Sequence, residues 1–110
     1  MIKSNKYAKL PIYGGVYHLN ARKYLEKLDG KLNIVGKNIE VYRRKNNNMS
    51  RQTLSDKLIL MGIDISSQSI FDIEKGIRTV IDYELCAIAK ILNTTSDELM
   101  NDFREYLDKN

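Results

Sequence analysis

The 110-residue sequence has one cysteine, one histidine, one proline and no tryptophan. A lone cysteine, Cys86, cannot cross-link the chain to itself, which excludes a disulfide-stapled scaffold and predicts a reducing compartment. His18 has no Cys, Asp or Glu grouped with it at ligand spacing, so no metal centre is expected. No apolar run approaches the ~18 residues of a membrane span. The opening MIKSNKYAKLPIYGG has lysines but not the apolar stretch of a signal peptide. A soluble cytoplasmic protein without membrane association is the expectation. Neither a phosphate-binding glycine loop nor a nucleophile–base pair is present, so no catalysis, cofactor or small-molecule ligand is expected. At ~100–150 residues for a typical domain there is room for one core, which excludes a dinucleotide-binding sheet with a substrate domain.

What is present is charge, unevenly placed. The net charge is +4. Residues 1–36 carry seven basic and two acidic side chains, and residues 37–51 carry Lys37, Arg43, Arg44, Lys45 and Arg51 against Glu40. Residues 79–110 reverse the balance, with Lys90, Arg104 and Lys109 against seven acids. A chain basic at one end and acidic at the other can orient itself on a polyanion; the same asymmetry also suits two solvated ends.

With its one proline at Pro11, the chain from about Leu32 onward is open to helix formation. Before that, KLPIYGGVYHL reads as extended or hairpin-like, followed by a short helix from Ala21 to Leu28 closed by Gly30. Five helical segments are predicted beyond it. The first, about Asn33–Asn46, aligns Val35, Ile39, Tyr42 and Asn46, and the Asn46–Asn48 run ends it. Ser50 caps the second, Arg51–Met61, with Leu54, Lys57, Leu58 and Met61 at 3-and-4 spacing. Ser66 caps the third, Ser67–Lys75, which buries Ile70, Ile73 and Glu74 and stops at a left-handed Gly76. Asp82 caps the fourth, Tyr83–Leu92, with Leu85, Ile88, Ala89 and Leu92 inward and Cys86 as core filler. The fifth opens on Thr95-Ser96-Asp97-Glu98, a capping-box pattern, and presents Leu99, Phe103 and Tyr106. Several short amphipathic helices with brief loops make an all-α domain.

Segments two and three carry the functional signal. A capped helix, a turn, and a second helix opening on small polar residues is the helix-turn-helix layout, whose second helix lies in the DNA major groove. With Ile70 and Ile73 buried, Ser67, Gln68, Phe71 and Asp72 project outward near the start of that helix. Gln can pair bidentately with adenine, Ser can donate or accept, and an apolar ring can pack on a thymine methyl. Ser50-Arg51-Gln52 adds a cation and unpaired backbone N–H groups suited to a phosphate.

Taken together, GKNIEVYRR, MSRQTLSDKL, ISSQSIFDIEKGIR and DYELCAIAKILNTTSDELM resemble the phage repressor/Cro-type helix-turn-helix family, the xenobiotic-response-element (XRE) class, over residues 33–103. The most specific element is Ile70-x-x-Ile73-Glu74-x-Gly76 followed by Arg78. The resemblance implies a five-helix, lambda-repressor-like bundle over 32–106, with an N-terminal extension at 1–31 and a tail at 107–110. It implies that Ser67, Gln68, Phe71 and Asp72 face base edges, and that Arg51, Gln52, Lys75, Arg78 and Arg43 or Arg44 hold phosphates. Glu74 takes the place of a carboxylate paired with an arginine of the first helix. Counting forward from Ile39 gives Arg43, while counting back from Ser50 gives Arg44. The connection from Leu54 to Ile70, lengthened by LILMGID, is similar to a branch found in low-GC bacteria. Asp72 is acidic where many relatives are polar or basic, and the first ~30 residues have no counterpart in a minimal domain.

The implied function is a double-stranded DNA-binding transcriptional regulator, a repressor by preference, acting as a homodimer on an inverted repeat with half-sites ~10 base pairs apart or a multiple. Two alternatives stand beside it. One is a protein-interaction module, such as an antitoxin or anti-repressor, that uses the same helices. The other is single-stranded nucleic-acid binding by the basic N-terminus, where Tyr7, Tyr13, Tyr17 and Tyr24 concentrate.

Overall fold

A computed structural model describes residues 28–109. The hairpin-like segment, His18, the four N-terminal tyrosines and the body of the predicted helix from Ala21 lie outside the described residues. The chain divides into two units between Lys31 and Leu32, and the second is all helix among the described residues, without a strand. Its elements are α1 (Gly36–Lys45), α2 (Arg51–Leu60), α3 (Ser67–Lys75), α4 (Asp82–Ile91), α5 (Ser96–Leu99) and α6 (Asn101–Lys109). α3 packs against α1 and α2, α2 also packs on α4, and α5 bridges α4 to α6. α6 runs on to Lys109 and does not give way to a tail after 106.

Local signals set most of these boundaries. Ser50 Oγ accepts from Thr53 N–H, Ser66 Oγ from Ser69 N–H and Thr95 Oγ1 from Glu98 N–H. Each satisfies one donor that a helix start leaves unpaired. Gly76, at φ 80°, ends α3 in a Schellman arrangement: Ile77 N–H donates to Asp72 C=O, and Gly76 N–H to Ile73 C=O. Asn47 and Asn48 both take φ above 50°, a left-handed conformation asparagine tolerates better than most residues. The core gathers Val35, Ile39, Leu54, Leu58, Ile70, Ile73, Ile88, Leu92 and Leu99, with Ile65 entering from the turn after α2.

Four expectations are corrected. Asp82 is not the cap of α4 but its first residue; Ile81 precedes it, and Glu84 accepts the Ile81 N–H at 3.0 Å. The single fifth helix is two, α5 and α6. Leu99 C=O accepts from Asn38 Nδ2 at 3.0 Å, Phe103 N–H donates to Met100 C=O, and the helix restarts there. Lys57 and Met61 are exposed despite their spacing, leaving Leu54 and Leu58 as the inward pair of α2. Cys86 is exposed, not core filler, because α4 turns Ala87, Ile88 and Ala89 inward.

Three asparagines join elements that no local signal connects. Asn33 Oδ1 accepts from Val35 and Gly36 N–H at the start of α1, while its Nδ2 donates to Ile73 C=O and Arg78 C=O. It thus ties α1 to the end of α3. Asn46 Nδ2 donates to Tyr42 C=O and Leu92 C=O, and its Oδ1 accepts from Asn93, fastening the end of α1 to the end of α4. Asn38 makes the α1–α5 link already described. Backbone carbonyls at helix ends need partners when water is excluded, and side-chain amides supply them.

Candidate nucleic-acid interface

The outward side of α3 carries the residues singled out for base edges. Gln68 is exposed, while Ser67, Phe71 and Asp72 are half-buried. Gln68 and Asp72, one turn apart, are joined by Gln68 Nε2 donating to Asp72 Oδ1 at 3.1 Å. A carboxylate can only accept, so the Gln68 amide nitrogen must be the atom that faces it. That leaves Gln68 with its carbonyl oxygen and one N–H for another partner.

Behind this face lies an ionic centre. Glu74, on the inner side of α3, is fully buried at its carboxylate, and Arg43 beside it is 7% exposed. Arg43 Nε donates to Glu74 Oε2 at 2.7 Å, and Arg43 Nη2 to Oε1 at 3.2 Å. A further bond runs from Arg43 Nη1 to Met49 C=O at 2.6 Å. The arginine that meets Glu74 from α1 is therefore Arg43. Arg44, with its side chain 62% exposed, lies one turn from Glu40 and pairs with it across the α1 surface. The reason is rotational: Arg43 lies one helical turn beyond Ile39 on the buried side of α1, and Arg44 is turned about 100° away from it.

Glu74 also holds a second arginine, which spacing did not reveal. Arg51 Nε donates to Glu74 Oε1 at 2.8 Å from the first turn of α2. One buried carboxylate thus joins α1, α2 and α3. Of the residues assigned to phosphate, Arg43 is withdrawn into this centre, while Arg51 keeps its terminal amino groups without a hydrogen bond among the described residues. Gln52 donates to Asp56 at 2.9 Å on the exposed side of α2, and Lys75 is exposed at the end of α3.

Arg78 is drawn elsewhere. Its Nη1 and Nη2 bond to Glu84 Oε1 and Oε2, each at 3.0 Å, and Nη1 also reaches Thr79 C=O. The fork closes the α3–α4 loop onto the first turn of α4. No family model, curated protein or solved structure matches this chain. The site rests on its own chemistry. No group of three or more His, Cys, Asp or Glu able to hold a metal occurs among the described residues, and no described helix is long and apolar enough to cross a membrane.

The Arg78 hydrogen bonds hold the Glu84 carboxyl below its ordinary value of 4.5, helped by the Ile81 N–H and opposed by burial. Arg78 is raised in turn, first through the same bond. A carboxyl whose folded value lies below its unfolded one stabilises the protein above the unfolded value and loses that contribution as pH falls through the folded one. Glu84→Gln is accordingly expected to flatten the loss of stability between about pH 5 and pH 3. Urea midpoints across that range measure it, and parallel curves for the two proteins would remove Glu84 from the acid response.

Proposed function

We propose that the second unit is a sequence-specific double-stranded DNA-binding module and the protein a transcriptional regulator, with repression the preferred reading. In this proposal α2, the turn after it and α3 form a helix-turn-helix of the phage repressor/Cro type. α3 enters the major groove. The observation that carries the reading is the division of α3 into two sides. Ile70, Ile73 and Glu74 are buried, whereas Gln68, hydrogen-bonded to Asp72 and flanked by Ser67, keeps a donor and an acceptor for a base edge. Such a pair matches adenine N7 and N6.

Arg51, Lys75 and Arg44, whose pair with Glu40 lies on the exposed surface, are the cations best disposed to meet phosphate, since Arg43 is buried and both terminal nitrogens of Arg78 are held by Glu84. Phosphate contacts set register and affinity, while base contacts set sequence. Three cations in each half of a homodimer imply a salt slope of about −5. One module buries too little surface for tight binding, so a pair of modules on an inverted repeat is the proposed state.

Selection from a random duplex library at ~0.15 M salt tests the reading, that being a concentration at which non-specific contacts are already weakened. An inverted repeat among the retained sequences supports it, and sequences no different from the input would end it. Gln68→Ala should then cost about tenfold in preference at one base position of each half-site. Unchanged preference in that variant would mean that α3 presents a different face.

A protein-interaction module is the second reading, favoured by the side chains at the end of α2. Ile59, Leu60 and Met61 are exposed in succession, Leu60 at 87%. If no sequence is selected, this surface is the next to probe.

A further inference from the structure

α3 carries one aromatic side chain, Phe71, and two cations stand over its ring. The Arg51 guanidinium carbon is 5.0 Å from the ring centroid and Lys75 Nζ is 5.5 Å from it. Both lie inside the ~6 Å over which the negative face of an aromatic ring attracts a cation. Phe71 is half-buried, so its ring underlies these groups.

The charges around the ring do not balance. Arg43, Arg51 and Lys75 converge on a neighbourhood whose buried carboxylate is Glu74, already shared by both arginines. Asp72, the next acid along α3, is engaged by Gln68, and Lys75 has no ion pair among the described residues. Glu74 and Asp72 supply two negative charges against these three positive ones, so one positive charge is left unmatched among the described residues.

Arg51 is also held in one orientation. Its Nε is bonded inward to Glu74 and its planar group lies by the ring, which leaves both terminal amino groups unbonded among the described residues. A guanidinium fixed at Nε presents a two-pronged donor, the geometry that suits the two unesterified oxygens of a phosphodiester.

We propose that Phe71 is a positioning residue of a phosphodiester clamp formed by Arg51 and Lys75, and not a base-reading residue. The proposal rests on the DNA-binding reading above and reassigns one residue within it. It requires Phe71 to govern affinity for every sequence alike, and to leave base preference untouched.

The test uses the full chain with Phe71→Leu, which keeps an apolar side chain without the ring, and Phe71→Tyr, which restores the ring. Binding is measured to a selected duplex and to a scrambled duplex of equal length, over a series of KCl concentrations. Phe71→Leu should weaken both by about fivefold, the scale of a lost cation–ring contact. It should also make the salt slope shallower by about 1 for each subunit. Phe71→Tyr should return both values to those of the parent protein. In the protein alone, nitrogen relaxation should show the Arg51 terminal amino groups ordered in the parent and in Phe71→Tyr, and mobile in Phe71→Leu, while the Nε–H stays bonded to Glu74 in all three. Thermal unfolding verifies that each variant is folded.

A changed ratio between the two duplexes with an unchanged slope would overturn the proposal and return Phe71 to the base-reading set. Arg51 terminal amino groups equally ordered in all three proteins would overturn it as well, since the ring would then position nothing. Should the parent protein bind neither duplex, the DNA reading fails by itself, and the relaxation alone decides whether the ring orders Arg51.

Discussion

Glu74→Ala is expected to cost about 3–5 kcal/mol of folding stability, the range for removing one partner of a buried ion pair. The carboxylate accepts from Arg43 Nε and Nη2 and from Arg51 Nε, and its oxygens are closed to solvent. Without it, the Arg43 guanidinium stays inside the unit with the Met49 carbonyl as its remaining partner. An isolated buried charge is among the few single changes able to remove a large part of the ~5–15 kcal/mol that holds a domain folded. Glu74→Gln should fall nearly as far, because an amide fills the space but leaves the charge unmatched. Replacing the buried pair, Arg43→Met with Glu74→Leu, should recover much of the loss, since apolar groups of similar volume remove the two most buried charges together and leave Arg51, whose side chain is 30% exposed, to water. Urea unfolding with a constant denaturant slope is the measurement. A loss below about 1 kcal/mol in Glu74→Ala would mean that water reaches Arg43, contrary to its burial.

Gly36→Ala is the second large effect, at about 3 kcal/mol, the upper part of the range for overpacking. A Cβ at Gly36 would run into the carbonyl oxygen of Ile73, and would also come to 3.1 Å from Asn33 Oδ1 and from the Glu74 Cα. None of these can yield easily. Ile73 C=O accepts from Asn33 Nδ2, and Asn33 Oδ1 accepts from Gly36 N–H at 2.7 Å, so one hydrogen-bonded loop holds both backbones at their present separation. Relief requires α1 to move away from α3, which also draws Arg43 from Glu74. Gly62→Ala is the control: its φ of 82° imposes a left-handed strain of about 1 kcal/mol, but no atom lies within 4 Å of the added carbon. If the two variants lose equal stability, the close approach of α1 to α3 does not have the energetic weight assigned to it. Under the proposed DNA-binding function the variants should separate further, because Gly36→Ala disturbs the seating of α3 and Gly62→Ala does not.

The two predictions rest on features of different legibility. Glu74 stands out in the sequence as an acid on the buried side of a short helix, where it needs a cation. That the cation is Arg43 could not be counted from the sequence, because Asn46–Asn48 obscures the register between α1 and α2. Gly36 gives no sign of its role. It stands at the first residue of α1 with nothing nearby to mark a close approach, and the backbone it meets is at Ile73. Arg51 was legible as a helix-start cation, but its bond to Glu74, 23 residues away, was not.

By itself the sequence determined the helical character of the second unit, the starts of α2, α3 and α5, and the left-handed stop of α3. Each depends on groups within about four residues of one another, so a cap, a glycine or an apolar period is a complete physical statement. Tertiary structure decided the rest. It chose Arg43 over Arg44, brought Arg51 to Phe71, and turned Arg78 onto Glu84. Through Asn38 it tied α1 to the end of α5, and through Asn33 and Asn46 it closed the ends of α1. Those contacts span up to 61 residues, and no spacing rule encodes which carbonyl a distant amide will meet. They exist because burying the core leaves polar groups away from water, and the only remaining partners are those the fold itself brings within reach.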